Sequence, residues 1–108
     1  MDLAEACYRR TREFPNSELY GLTSQIRRAA SSIPANVAEG YGRETPASFI
    51  QFLRISQGSV KELETHILLA RRVELVADEA AAPLLDLCDR VSRMLRNLIR
   101  SLQSKVDG

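Results

Sequence analysis

The chain has no tryptophan, one histidine, two cysteines, five glycines and a net charge of only +1, and each shortage removes a class of protein. Di-iron bundles need a Glu-x-x-His pair on each of two helices, with two further inward carboxylates. Here the lone His66 follows Glu62 by four residues and has no second motif to pair with, so neither a metal nor any other cofactor is expected. No Gly-x-Ser-x-Gly turn or phosphate-cradling glycine loop occurs, and one histidine on a helical seam offers no base for a nucleophile. The expectation is a protein that is not an enzyme. Cys7 and Cys88 follow a start, MDLAEACYRR, that lacks a basic segment leading into an apolar one. They read as free thiols in a cytoplasmic protein. The longest uncharged stretch, 29–38, is short and broken by Ser31, Ser32, Pro34 and Asn36, so no membrane partner is expected. A near-neutral chain is also an unusual nucleic-acid binder, since that role normally carries a strong basic excess.

What remains is helix-forming. Ala, Leu, Arg and Glu abound, and no stretch alternates with period two. The 108 residues suit one domain, spanning 1–108, and its pattern is all-α, an antiparallel up-down-up-down four-helix bundle with a short first helix. The first helix covers about Asp2–Arg12, with Leu3, Cys7 and Phe14 on one face. Pro15 ends it, and Phe14–Gly21 forms a connecting loop. The second runs from Leu22 or Thr23 to about Tyr41, with Leu22, Ile26, Ala29, Ile33 and Val37 facing inward and a bend expected at Pro34. Gly40 and Gly42 mark the next break, Gly42 suiting a C′ position. Thr45 is placed as N-cap and Pro46 as first helical residue.

The third helix, Pro46 to about Val73, carries two seams. Phe49, Leu53, Ser56, Val60, Leu63, Ile67 and Ala70 alternate four and three, as in a coiled coil. Beside them run Phe52, Ile55, Ser59, Glu62, His66, Leu69 and Val73, apolar at both ends and polar between. A helix with two seams needs a second set of partners, which a neighbouring subunit would supply. The fourth helix, capped by Asp78 and running to about Lys105, buries Leu84, Cys88, Val91, Leu95, Leu98 and Leu102, widened by Leu87, Met94 and Ile99.

Two polar patterns stand out. On the second helix Gln25, Ser32, Asn36, Glu39 and Arg43 form a stripe abutting the apolar face. Asn36, Glu39 and Arg43, with Ser59, Glu62 and His66 as counterparts, are the expected members of a structural hydrogen-bond network. On the fourth helix Asp78, Glu79, Asp86 and Asp89 precede Arg90, Arg93, Arg96, Arg100 and Lys105, and no acid lies between Arg90 and Val106. That order complements the helix dipole, but so many bases exceed what the dipole asks. With Arg9, Arg10, Arg12, Arg27, Arg28, Arg71 and Arg72 they offer a basic surface for phosphate backbones. Thirteen of the fifteen cations are Arg, the better bidentate phosphate ligand.

The runs LTSQIRRAASSIPANVAEGYGR and FLRISQGSVKELETHILLARR resemble the four-helix-bundle family of bacterial 23S ribosomal-RNA intervening-sequence proteins. The likeness extends from FPNSELYGL through the fourth helix, about five-sixths of the chain. It implies a homopentameric bundle. A similar group, the accessory proteins of diversity-generating retroelements, is pentameric and basic, and binds nucleic acid and a reverse transcriptase. The motif positions are Gln25, Arg27, Arg28, Ser32, Pro34, Asn36, Glu39, Gly40 and Arg43, with Gly58, Ser59, Glu62 and Glu64 on the third helix. Family members carry further helical turns before the residues matching Leu3–Tyr8. Either the start codon lies elsewhere or the bundle is open on one side at that level. The expected function is a non-enzymatic oligomeric binding module associated with RNA or an RNA-containing assembly. Its phosphate contacts would be Arg27, Arg28, Arg90, Arg93, Arg96 and Arg100. The alternative is a protein-interaction scaffold with no nucleic-acid role.

Overall fold

The computed structural model describes residues 1–18 and 21–108. Leu19 and Tyr20, which belong to the expected loop after the first helix, lie outside the described residues. Four helices follow one another: α1 (Asp2–Thr11), α2 (Leu22–Tyr41), α3 (Pro46–Arg72) and α4 (Asp78–Asp107), with a single 3₁₀ turn at Asn16–Glu18. Each helix packs on its neighbours in the order α1–α2–α3–α4 and back to α1, while α2 and α4 run on opposite corners with no close backbone approach among the described residues. The result is a rod of 50 × 23 × 18 Å.

The first seam of α3 is its axis. Leu53, Val60, Leu63, Ile67 and Ala70 are essentially inaccessible, and Ile26, Ala29, Ala30, Cys7, Ala81 and Cys88 close around them. Each fully buried Leu or Ile contributes about 1.5–3 kcal/mol over its exposed state. Helix α4 departs slightly from its expected seam. Ile99 is buried while Leu98 is 38% and Met94 68% exposed.

The helix ends follow local chemistry. Thr45 caps α3, its Oγ1 accepting from Ser48 N–H at 3.1 Å, and Pro46 follows at the first helical position. Helix α4 has Ala77, not Asp78, as its N-cap, so Asp78 stands in the first turn and favours the dipole without capping. Gly42 closes α2 with φ −78°, an ordinary right-handed conformation that does not need glycine. The left-handed position falls instead on Glu74 (φ 66°), after α3. There Leu75 N–H reaches Ala70 C=O at 2.8 Å and Glu74 N–H reaches Arg71 C=O at 3.1 Å, the paired bonds of a Schellman turn.

Gly40 is not a break. It is buried inside α2, where a Cβ would stand 2.8 Å from both Phe49 Cδ1 and Phe52 Cβ, so its missing side chain sets how closely α2 approaches α3. Helix α2 continues through Pro34 without interruption. Just before that proline, Ser56 Oγ donates to Ile33 C=O at 2.9 Å and ties α3 to the same turn.

Because α1 begins part-way along the rod, only three helices occupy the end holding Tyr41, Pro46 and Asp107. A cavity of about 500 Å³ opens there between α2 and α4, lined by Met1, Pro34, Val37, Tyr41, Met94 and Leu98 among others.

Candidate nucleic-acid interface

The cations of α4 divide by angle around the helix. Arg93, Arg96 and Arg100, three and seven apart, share one stripe, and all three are exposed. That stripe lies away from Leu84, Cys88, Leu95 and Ile99, which face the core. Arg90 is also exposed but sits on the flank leading to Met94 and the open cavity. Arg93 is held by Asp89 at 2.8 Å, an exposed pair worth at most a fraction of a kcal/mol up to about 1 kcal/mol. Arg90, Arg96 and Arg100 have no ion-pair partner among the described residues.

Helix α3 adds a cation that periodicity alone did not single out. Arg54, Lys61 and Leu68 are seven apart and form one stripe, and Leu68 shares a surface depression with Asp78 of α4. The stripe therefore runs beside α4. Arg71 Nε lies 3.8 Å from Asp78 Oδ1 and marks the antiparallel register. Equal steps back along α3 and forward along α4 from that pair bring Arg54 level with Leu95 and Arg96. The sequence signal was available in the absence of acids: residues 46–60 contain Arg54 and no Asp or Glu. Residues 46–60 and 90–106 together present Arg54, Arg90, Arg93, Arg96, Arg100 and Lys105, all exposed, with no acid on either stretch. Uncharged donors, Asn97 and Ser104, sit on the α4 stripe between and beyond the arginines.

The two remaining expected phosphate contacts lie elsewhere. Arg27 is half-buried near the start of α2, its Nε donating to Thr11 Oγ1 at 2.9 Å and its guanidinium 5.0 Å from the Tyr8 ring centre. Thr11 Oγ1 in turn donates to Cys7 C=O at 2.8 Å. Arg27 thus fastens α1 to α2 and is spent on that contact. Arg28 is exposed, but it stands on α2, at the opposite corner of the bundle from α4.

The residues expected in one polar network form three separate groups. Ser32 Oγ and Ser59 Oγ are 2.8 Å apart, joining α2 to α3, and Asn36 Nδ2 donates to Ser32 C=O and Oγ at 2.8 and 3.0 Å. Glu39 and Arg43 pair at 2.8 Å on the surface, with the guanidinium 4.7 Å from the Phe52 ring centre. Glu62 Oε1 and His66 Nε2 are 3.5 Å apart on α3. That nitrogen is itself buried and makes no hydrogen bond among the described residues. Ser32, on the expected stripe of α2, is the member that bridges the helices, and its partner Ser59 is one of the expected counterparts on α3.

Burial pushes both thiols, Cys7 and Cys88, up to about 12, with each other's proximity and Glu64 adding to the rise at Cys88. Neither is a nucleophile at neutral pH. Among the described residues no cluster of three or more His, Cys, Asp or Glu is placed to hold a metal ion. No helix of the described residues is long and apolar enough to cross a membrane.

The model of the 23S rRNA-intervening sequence protein family matches residues 1–97. The chain belongs to that family. Among solved structures, a protein of unknown function from the S23 ribosomal protein family of Bacteroides thetaiotaomicron VPI-5482 superposes with a TM-score of 0.81 over 91% of this chain and 92% of that one. Identity between them is 23%, so this likeness establishes a shared fold. No curated protein matches the chain. In this member of the 23S rRNA-intervening sequence family, residues 46–60 and 90–106 carry six exposed cations and no acid, with Asp89 and Asp107 bounding the α4 stretch.

Proposed function

We propose that this protein is a non-enzymatic, self-assembling helical module that binds RNA through the outer face of α3 and α4. The observation that carries the reading is the absence of any acid from residues 46–60 and 90–106, beside six exposed cations, in a chain whose overall charge is +1. Acids and bases of a near-neutral protein are normally interspersed; two stretches that carry cations and no acid create a local positive field without a basic chain. The family's link to ribosomal RNA supports the same partner. Arg93, Arg96, Arg100 and Arg54 contact phosphates, and Arg90 and Lys105 contribute at the edge.

Self-assembly uses the second seam of α3. Ile55 at one end of it and Leu69 and Val73 at the other are 51%, 45% and 54% exposed, apolar surface that an isolated bundle leaves in water. A cyclic homo-oligomer, a pentamer by the family resemblance, covers that margin and repeats the basic face around the ring, so weak contacts add by multivalency. Light scattering on the eluting species tests this part. A monodisperse 12.1 kDa particle at micromolar concentration refutes it.

The RNA reading is tested by Arg93→Glu combined with Arg96→Glu. Both side chains are solvent-exposed, so the fold survives. RNA affinity at low salt drops by about two orders of magnitude or more, and the log-affinity against log-salt slope flattens by a little under one unit per lost contact. A folded double variant that binds RNA as the parent does removes these residues from the interface. A parent that never binds RNA leaves the apolar margin of α3 as the functional surface and makes the protein an assembly scaffold.

A further inference from the structure

Proteins that take single-stranded nucleic acid combine a positively charged channel with aromatic side chains on which bases stack. The basic face described above has neither. Helix α4 contains no aromatic residue at all. The two on α3 are turned to α2, Phe49 packing edge-on to Tyr41 with ring centres 6.1 Å apart and Phe52 lying beneath Arg43. Tyr8, half-exposed on α1 with Arg27 over one ring face, lies away from this face, and Phe14 is buried. The principal cavities of the described residues are lined by other parts of the molecule. They lie between α1 and α2, between α2 and α4, at the α3–α4 turn and beside α1, and none includes Arg54, Arg90, Arg93, Arg96 or Arg100. The face is convex, cationic and without a stacking platform.

We infer that this face binds the backbone of double-stranded RNA and not single strands, an inference that rests on the RNA-binding reading above. Double-stranded RNA is recognised by shape, through phosphates and 2′-hydroxyls displayed across a wide, shallow minor groove. Such a groove accepts a convex surface. From Arg90 to Lys105 the basic stretch of α4 is roughly 22 Å long at the helical rise, enough to meet phosphates on both strands at once. Arg93, Arg96 and Arg100 project from one line along it, and Arg54 stands level with Arg96 on the neighbouring helix. Asn97 and Ser104, interleaved with those arginines and exposed, supply the uncharged donors and acceptors that 2′-hydroxyls require. Bases in a duplex are stacked on one another already and ask for no aromatic partner. A single strand, by contrast, must give up its own stacking and finds nothing on this face to replace it.

The one exposed ring at the same end of the rod is Tyr41, 80% exposed beside the open cavity. It lies on α2, across the bundle from the α4 stripe, and it is the residue a single-strand mode would recruit.

The test uses the full-length protein and a fluorescent RNA duplex of about 16 base pairs, the span of a typical double-strand reader. An oligo(U) strand of equal length and a DNA duplex of the same sequence are titrated beside it at low salt. The duplex RNA is expected to bind about tenfold or more tightly than the single strand. It also binds more tightly than the DNA, which lacks the 2′-hydroxyl. Arg96→Gln with Arg100→Gln weakens duplex binding, and Tyr41→Ala leaves it unchanged. If oligo(U) binds as tightly as the duplex, or Tyr41→Ala costs more than the arginine pair, the duplex assignment is wrong while RNA binding stands. Equal or tighter binding of the DNA duplex likewise overturns the assignment to RNA. If none of the three probes binds, the RNA-binding reading itself fails.

Discussion

Two glycines on neighbouring helices give opposite answers to the same substitution. Replacing a glycine inside a helix by alanine restricts the unfolded chain and improves helix propensity, a gain of about 0.5–1 kcal/mol where space allows. Gly58, inside α3 and exposed, has nothing within 4 Å of where its Cβ would stand. Gly58→Ala therefore stabilises by that amount. Gly40 meets Phe49 Cδ1 and Phe52 Cβ at 2.8 Å each. The Phe49 ring can rotate a little, but Phe52 Cβ is one bond from the α3 backbone and moves only if the helix moves. Overpacking of this kind costs about 1–3 kcal/mol, more than propensity returns, so Gly40→Ala is destabilising by a net 1–2 kcal/mol or so. For a domain of this size each kcal/mol shifts Tm by about 4–8 °C. Thermal unfolding followed by circular dichroism should place the two variants on opposite sides of the parent, about 10 °C or more apart. Scans at two protein concentrations separate a helix effect from one on assembly, because only the latter moves with concentration. If Gly40→Ala matches or exceeds the parent, the close approach of α2 to α3 at that glycine is not what positions the two helices.

The other expectations concern turns, caps and thiols. Glu74→Gly relieves a left-handed residue at the end of α3 and raises stability by about 1 kcal/mol, read from the urea midpoint. Thr45→Ala removes the hydroxyl that caps α3 and lowers stability by about 1 kcal/mol, whereas Asp78→Ala, a residue that does not cap, loses less. Ser56→Ala leaves the Ile33 carbonyl without its cross-helix donor and costs on the order of 1 kcal/mol. Cys7 and Cys88 titrate near 12 when folded against 9 unfolded, so the folded state holds their protons longer. Their contribution is complete below pH 9 and is lost as pH rises toward 12, and iodoacetamide at pH 8 labels neither thiol until urea is added.

Most of the bundle was legible because its evidence is periodic. The four–three alternation from Leu53 to Ala70 needs no knowledge of other helices to identify a buried stripe, and each of those seam residues is buried. The departures occur where a residue's environment comes from another element. Leu98 and Ile99 are adjacent on α4 and equally apolar; which is buried depends on how α4 is turned against its neighbours. Gly40 looked like punctuation because glycine usually is, and only the approach of Phe52 explains it as packing. Similarly, Asn36 and Glu39 on α2 and Glu62 and His66 on α3 lay on facing polar rows, but hydrogen bonds require partners within about 3 Å, and sequence spacing specifies distances along one helix alone.

The basic face shows the same division. That residues 46–60 and 90–106 lack acids is a property of the sequence, as is the common stripe of Arg93, Arg96 and Arg100, since both follow from counting along one chain. Alignment of the two stretches side by side belongs to the tertiary structure, because antiparallel packing, in the register that the Arg71–Asp78 pair marks, is what brings Arg54 level with Arg96. Withdrawal of Arg27 from that surface is likewise tertiary: its guanidinium is committed to Thr11 and Tyr8 of another helix. Helical periodicity is a local consequence of backbone geometry and can be read from the chain. The partner of a charge depends on which helices lie together, and that is decided only when the core closes.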